Sequence, residues 1–243
     1  MERGIARVTM GIVFAISSFS LSGCLVNRIL TVQEQACAFD ENFEVSLDNG
    51  MKITFLNPVL LFNDVAFIVG LAPQTEKLAD NHYRASYMVS MAGNSDALDT
   101  PVNLLFEKQD NELKLTQVSI PNRILASFDR AQFPQAIDSA CNTRLPLWGT
   151  RVEVPIPEFD QSIIPSREQA IELAGKPAWL SNDGNELQYN FTLKGANNSE
   201  LTGLINLEYE AGGQNLLRTR TRFYHYVTGA DFKKGMAWGM ITL

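Results

Sequence analysis

The 243-residue chain is poor in the residue types that usually perform chemistry at protein sites, with three cysteines and two histidines. The cysteines form no Cys-x-x-Cys pair, which argues against a redox dithiol, and His82 and His225 lie far apart without a recognisable metal-binding motif. Nucleophile elbows, phosphate loops and metalloprotease helices are also missing from the sequence. We therefore predict that the protein is not an enzyme, with no catalytic residue, no metal and no cofactor.

Two pairs of carboxylates are the remaining candidates for acid–base chemistry. Asp110 and Glu112 are close in sequence, as are Glu208 and Glu210, but all four fall in or beside predicted turns, where charged side chains are usually solvated. A periplasmic hydrolase built on converging carboxylates or histidines stays open as an alternative.

The chain also lacks an apolar run long enough to cross a membrane, which would need about 20 residues. Arg3 and Arg7 precede a short apolar run, and serines and other small residues follow it up to Cys24. This order is typical of an export signal. We predict that residues 1–23 are a signal peptide.

The residues Leu21-Ser22-Gly23-Cys24 resemble the lipobox of bacterial lipoproteins, which implies cleavage before Cys24 and acylation of its thiol. The alternative is an ordinary secretory signal with an incidental cysteine. In Gram-negative lipoproteins an Asp after the lipidated cysteine marks inner-membrane retention, whereas Leu25 stands here. The resemblance therefore implies attachment by an N-terminal lipid to the periplasmic face of the outer membrane.

The chain that remains after removal of the signal is acidic, with 18 basic and 26 acidic residues and a net charge of −8. This balance argues against nucleic acid as a partner and against broad adhesion to anionic lipid. Cys37 and Cys141 are the two remaining thiols in an oxidising compartment, so we expect them to form a disulfide. Two buried free thiols are the alternative.

Residues 24–42 are predicted to be a lipid anchor and tether, followed by a repeated order of elements. In each half, an extended segment and a short helix precede three antiparallel strands. The expected fold is α+β, with two small antiparallel sheets in tandem, each with a short helix, at residues 43–142 and 143–243. Chance recurrence of common elements is the alternative.

Local turn and cap signals place these elements. We predict hairpins at Asn49-Gly50, at residues 109–111 and at Gly212-Gly213, a helix capped at Asn63-Asp64, and a capping box at residues 166–169. A further helix is predicted at residues 133–142. The segment 232–243 stays open between a final strand and a loose tail.

The segment Pro165–Pro177 and the following Leu187–Phe191 resemble the helix, Gly-x-Pro and strand signature of SmpA/BamE-like outer-membrane lipoproteins and of β-lactamase-inhibitor-like repeats. The resemblance implies helices layered on a sheet and a binding role in the envelope, either in outer-membrane protein assembly or in inhibition of a hydrolase. The single short helix in each half departs from the paired helices of those lipoproteins, so no binding residue is transferred.

One segment is a candidate partner-binding surface. If residues 215–227 form one strand, a basic and aromatic stripe falls on one face. The stripe consists of Arg218, Arg220, Arg222, Tyr224 and Tyr226. Arginine and tyrosine are enriched at interface hot spots. A solvated sheet face, with Glu208 opposite Arg218, is the alternative.

The leading functional hypothesis is a non-enzymatic binding or envelope-assembly module that binds another envelope protein. The second hypothesis is a carrier or sensor of a small apolar or lipid ligand. Its cavity would be lined by Leu104, Phe106, Tyr189 and Phe191, which ordinary core packing also explains.

Overall fold

The computed structural model describes residues 25–91, 99–122, 141, 151–156 and 164–242. Its helices are α1 (25–37), α2 (Phe39–Asn42), α3 (Phe62–Val69) and α4 (Arg167–Ala174). Its strands are β1 (Phe43–Ser46), β2 (Met51–Phe55), β3 (Gln74–Ala79), β4 (His82–Met91), β5 (Thr100–Gln109), β6 (Glu112–Ile120), β7 (Arg151–Pro155), β8 (Trp179–Leu180), β9 (Glu186–Lys194), β10 (Glu200–Tyr209), β11 (Leu216–Phe223), β12 (Tyr226–Asp231) and β13 (Met236–Ile241).

All thirteen strands in the described part of the chain belong to one antiparallel sheet, so the prediction of two small sheets in tandem is wrong. The strand order is β1-β2-β6-β5-β4-β9-β10-β11-β12-β13-β7, while β3 and β8 lie beside β4 and β9. The local order of helix and strands recurs in both halves. The two halves are joined, however, by backbone hydrogen bonds between β4 and β9. One long sheet, with α3 and α4 packed on it, replaces the expected pair of units.

The β4–β9 pairing follows from the lengths of neighbouring strands. Strand β3 pairs only with the first half of β4, and the two residues of β8 pair only near the start of β9. Each long strand therefore leaves the second half of one edge unpaired by its local neighbour. These two edges meet in antiparallel register, from Met88 opposite Lys194 to Met91 opposite Phe191. Unpaired backbone groups at a sheet edge favour such strand addition.

Several local predictions are confirmed. The hairpin at Asn49-Gly50 joins β1 and β2, with Val45 opposite Ile53. The turn between β5 and β6 has positive φ angles at Asp110 and Asn111, which asparagine and aspartate tolerate better than other side chains. Hairpin β10–β11 also forms as expected.

The two eight-residue helices, α3 and α4, show one incorrect and one confirmed cap. Helix α4 begins with the predicted capping box, in which Ser166 Oγ accepts a hydrogen bond from the Gln169 N–H and the Ser166 N–H donates to Gln169 Oε1. Helix α3 starts after Leu61, earlier than predicted, because Asp64 acts from inside the first turn by accepting from the Leu61 N–H at 2.8 Å. Gly70 ends α3 in the left-handed conformation.

Two hydrophobic clusters pack against the same face of the sheet. Beneath α3, Val65 packs with buried residues of β4, β5 and β6, including Phe106. Beneath α4, Ala170 packs with buried residues of β9, β10 and β11. Val89 of β4 lies directly opposite Leu193 of β9, so the inward-facing side chains of both halves share one face. Helices α3 and α4 both cover this face.

Part of the expected tether is helical and attached to the body. In α1, the Arg28 guanidinium donates to both carboxylate oxygens of Asp64 at 2.6 Å. Asp64 is 5 % exposed, so this pair also satisfies a buried carboxylate. At the end of α1, Cys37 and Cys141 lie at disulfide-bonding distance, with 2.09 Å between the sulfur atoms.

Two further expectations concern the ends of the halves. The predicted helix at residues 133–142 and the boundary at 142/143 lie outside the described residues, apart from Cys141, which is helical. The C-terminal segment, left open by the sequence, forms β13 between β12 and β7.

Two buried tyrosines give a matched test of this packing. The Tyr87 hydroxyl donates to the Leu71 carbonyl at 2.7 Å, whereas the Tyr189 hydroxyl has no partner among the described residues. Burial raises the pKa of both hydroxyls, that of Tyr189 to about 12, so both are neutral at pH 7. We expect Tyr87→Phe to lower the free energy of unfolding by about 1–2 kcal/mol, and Tyr189→Phe to leave it unchanged or raise it.

Urea denaturation of both variants measures the difference. Because each change removes one hydroxyl from a nearly fully buried ring, the two variants control for each other. Equal destabilisation by both would contradict the assigned hydrogen bonds.

Candidate binding cleft

The face of the second half opposite α4 carries an ordered row of polar and aromatic side chains. Successive cross-strand partners in β8, β9, β10, β11, β12, β13 and β7 are Trp179, Gln188, Asn206, Arg220, Gly229, Trp238 and Glu153. Direct cross-strand partners point to the same face of a sheet. With about 4.8 Å between strands, the five steps from Trp179 to Trp238 cover roughly 24 Å of sheet.

This row lies in a cleft of about 590 Å³, which we call the polar cleft. Its charged lining residues are Arg151, Glu153, Glu186, Glu208, Arg218, Arg220, Asp231 and Lys234. Four are basic and four are acidic, so the lining has no net formal charge even though the chain as a whole is acidic.

One side of the polar cleft is a charged network of Glu208, Arg218, Asp231 and Lys234. Arg218 donates to Glu208 and to Asp231, each at 3.1 Å, and Lys234 lies 4.0 Å from Asp231. Burial raises the pKa of Asp231, but hydrogen bonds from the Arg218 side chain and the Lys234 N–H outweigh this effect and leave the pKa below its usual value. The hydrogen bond to Asp231, followed by that to Glu208, raises the pKa of Arg218. These charges therefore satisfy one another.

The Trp238 indole forms the far end of the polar cleft. The Trp238 indole lies over Gly229, and the Arg151 guanidinium stacks on the indole at 4.3 Å from the ring centroid. Arg151 also pairs with Glu153 at 2.9 Å. Both the ring and the cation at this end are thus engaged by neighbours.

The centre and near end of the polar cleft are different. Arg220, Asn206, Gln188 and Glu186 line it, but none of their side chains makes an ion pair or hydrogen bond with another described residue. Trp179, at the end of the row, is 49 % exposed. We call these five residues the uncommitted cluster. Their polar groups are available to a bound molecule.

The predicted arginine stripe is present over three residues. Arg218, Arg220 and Arg222 are exposed on the same face of β11, and Glu208 lies opposite Arg218 as the sequence analysis expected. Of these three arginines, only Arg218 forms ion pairs with described residues. Arg222 belongs to the adjacent cross-strand row and does not line the polar cleft.

The prediction that Tyr224 and Tyr226 continue the stripe is wrong. Strand β11 ends at Phe223, and Tyr224-His225 forms a two-residue turn with φ of +50° at Tyr224. Tyr226 opens β12 opposite Phe223 and so points to the helix-bearing face, where burial raises its pKa. A turn without glycine, asparagine or aspartate gives little sequence signal.

A tertiary contact accompanies this unusual turn. The Tyr224 ring packs against Gly70 at the end of α3, where an added Cβ atom would come within 2.5 Å of the ring. A glycine at this helix end therefore accommodates both the left-handed backbone and the aromatic ring.

The other sequence candidates do not converge. Glu208 pairs with Arg218, whereas Glu210 accepts a hydrogen bond from the Asn215 side chain. Asp110 sits in the β5–β6 turn, beside Glu112 at the start of β6. His82 begins β4, and His225 contacts the Tyr224 ring. Within the described ranges, no group of three or more potential metal ligands is close enough to hold an ion.

The residues expected to line an apolar cavity lie on the helix-bearing face. Leu104 and Phe106 belong to the cluster under α3, and Tyr189 to the cluster under α4. Phe191 lies over Gly203 and stacks on Phe223 at 5.5 Å between ring centroids. These contacts are those of core packing, and the carrier hypothesis stays a prediction.

Most of the uncommitted cluster carries no signal in the sequence. Trp179, Gln188 and Asn206 lie on three different strands and share no motif, so only the strand register brings them beside Arg220. The alternation of β9 and β10 could have placed Gln188 and Asn206 on the polar face, but not in one row.

No protein-family model matches the chain, and comparison with curated proteins and with solved structures finds no significant match. In the part of the chain that the structure describes, none of the helices has the length and apolar character needed to span a bilayer.

The contact between the Trp238 indole and Gly229 can be tested by replacing the glycine. A Cβ atom at Gly229 would lie 2.6 Å from the Thr219 carbonyl oxygen and 2.7 Å from the indole, whereas one at Gly239 would meet only Thr228 Cγ2 at 3.8 Å. We expect Gly229→Ala to cost about 1–3 kcal/mol of stability and to shift the tryptophan emission. Gly239→Ala should be neutral or slightly stabilising.

Thermal unfolding and fluorescence spectra of the two variants measure these effects. An unchanged emission spectrum and midpoint in Gly229→Ala would show that the indole does not rest on the glycine.

Proposed function

We propose that the protein is a lipoprotein held on the periplasmic face of the outer membrane, where it acts as a non-enzymatic binding or envelope-assembly module. The uncommitted cluster in the polar cleft is the observation that carries the binding role. Arg218 and Asp231 satisfy one another in the cleft, whereas the side chains of the uncommitted cluster make no ion pair or hydrogen bond with another described residue. The five side chains of the uncommitted cluster are therefore available to a ligand, as expected for a binding surface.

The lipobox-like Leu21–Cys24 supports the anchor. Helix α1 is described from Leu25, the residue after Cys24, and contacts the body through Arg28 and Cys37. Because Asp64 of α3 receives Arg28, the anchored helix is joined to the helix-bearing side of the sheet. The polar cleft lies on the opposite face, so membrane attachment and ligand binding use separate surfaces.

Replacing the proposed lipidation site tests the anchor. In Cys24→Ser, we expect loss of acylation, because the thiol that carries the acyl chains is missing, and loss of the membrane attachment that those chains provide. Metabolic labelling with a palmitate analogue and fractionation of the envelope measure both effects. Cys37→Ser controls for loss of a thiol and should remain labelled. A Cys24→Ser protein that stays acylated would contradict the proposal.

In-cell photocrosslinking tests the binding surface. A photoreactive amino acid at Gln188 should yield discrete adducts, because this side chain lies inside the polar cleft. The same amino acid at Tyr224 is the control, since this exposed ring lies in a turn outside the cleft lining. Adducts are separated by electrophoresis and identified by mass spectrometry. A folded, anchored protein that gives no adduct from Gln188, or the same adducts from both positions, would contradict binding through the cleft.

A further inference from the structure

The floor of the polar cleft can recognise a ligand through side chains only. Strands β9, β10, β11, β12 and β13 each have a hydrogen-bonded neighbour on both sides, so their backbone donors and acceptors lie within the sheet and are engaged. An extended polypeptide is commonly recognised by adding a strand to a free sheet edge. Among the described strands, the strand order ends in the free edge of β7, so the floor between β9 and β13 offers no edge to an added strand.

The uncommitted amides favour a ligand rich in hydroxyl groups. Gln188 and Asn206 each present two N–H donors and a carbonyl acceptor, and Glu186 adds a carboxylate acceptor. A hydroxyl group both donates and accepts, so it can satisfy either end of an amide. Gln188 and Asn206 are neighbours on adjacent strands, about 4.8 Å apart. This spacing is close to the length of one pyranose unit and suits successive rings of a glycan.

Trp179 offers a surface for a sugar ring at the near end of the row. Its indole is 49 % exposed, and it is the direct cross-strand partner of Gln188. The electron-rich face of an indole attracts groups of partial positive charge, such as the C–H bonds on one side of a pyranose. Trp238, by contrast, lies between Gly229 and Arg151 and has less ring surface available.

Arg220 adds a preference for a carboxylate. Among the cations that line the polar cleft, Arg151, Arg218 and Lys234 all pair with acidic residues in the described chain, and Arg220 does not. Its cross-strand neighbours are Asn206 and Gly229, which carry no charge. A guanidinium binds a carboxylate through two parallel hydrogen bonds.

The remaining charges limit how acidic the ligand can be. Glu186, Glu208, Asp231 and Glu153 surround the floor of the cleft, and the lining has no net charge. A dense polyanion would be repelled by these carboxylates. The cleft therefore matches a mostly neutral chain with a carboxylate at intervals.

We propose that the polar cleft binds a glycan strand whose neutral sugar rings carry occasional carboxylate groups. One ring stacks on Trp179, hydroxyl groups bond to Gln188, Asn206 and Glu186, and a carboxylate pairs with Arg220. This inference rests on the proposed binding function and names its ligand class. A protein partner is the competing occupant that the experiment distinguishes.

The test uses the full lipidated protein in detergent and two soluble ligands. One is a glycan of alternating N-acetylglucosamine and N-acetylmuramic acid, freed of peptides. The other is a chitin oligosaccharide of equal length, which has similar N-acetylated rings without the carboxylate. Titration followed by tryptophan fluorescence and calorimetry should show saturable binding of both, with roughly tenfold higher affinity for the acidic strand.

Three variants assign the contacts. Arg220→Gln should bring the affinity for the acidic strand down to that for chitin, while Trp179→Ala should weaken binding of both ligands. Arg222→Gln is the matched control, because this exposed arginine lies on the same strand and face but outside the cleft lining. It should bind both ligands as the unaltered protein does. Circular dichroism confirms that each variant is folded.

Absence of saturable binding to both glycans by the folded protein would overturn the inference. Equal losses in Arg220→Gln and Arg222→Gln would overturn it as well, since they would indicate a diffuse charge effect. If glycan binding fails while Gln188 still crosslinks to a discrete protein, the binding function stands and the ligand class is wrong. If both fail, the binding function fails with it.

Discussion

The antiparallel pairing of β4 with β9 is the contact on which the architecture depends. Four residue pairs, from Met88–Lys194 to Met91–Phe191, join strands about a hundred positions apart in the chain. Through them the two halves share one sheet, so their apolar side chains fall on one face. Helices α3 and α4 then cover that face together. On the opposite face of the second half, polar side chains line the cleft.

The polar face shows how the same residue type can be used in two ways. Arg218 and Arg220 are two positions apart on one strand, and both are exposed. Arg218 has carboxylates on both neighbouring strands, whereas Arg220 has an amide and a glycine. The first side chain is therefore held within the charged network, and the second can engage a ligand. The difference between the two arginines therefore comes from the residues opposite them on the neighbouring strands.

Attachment of the N-terminal helix adds a constraint on orientation. Helix α1 is not a free tether, because Arg28 makes a bidentate ion pair with Asp64 and the Cys37 sulfur lies 2.09 Å from that of Cys141. Asp64 serves two purposes, since it caps α3 and receives Arg28. Under the proposed lipidation of Cys24, the body would sit close to the bilayer with the polar cleft on the face away from α3.

The sequence by itself determined the local elements. Asn49-Gly50 specified a hairpin, Ser166 and Gln169 specified the start of a helix, and alternation in β11 placed its arginines on one face. These signals act over a few residues, where backbone geometry and side-chain hydrogen bonds suffice. Tertiary structure alone decided that the halves share a sheet. It also decided that the turn at Tyr224 packs against Gly70. The strand register, finally, aligned Trp179, Gln188 and Asn206 with Arg220. Those outcomes depend on which strand edges meet and in what register, and long-range pairing leaves no periodic trace in the sequence.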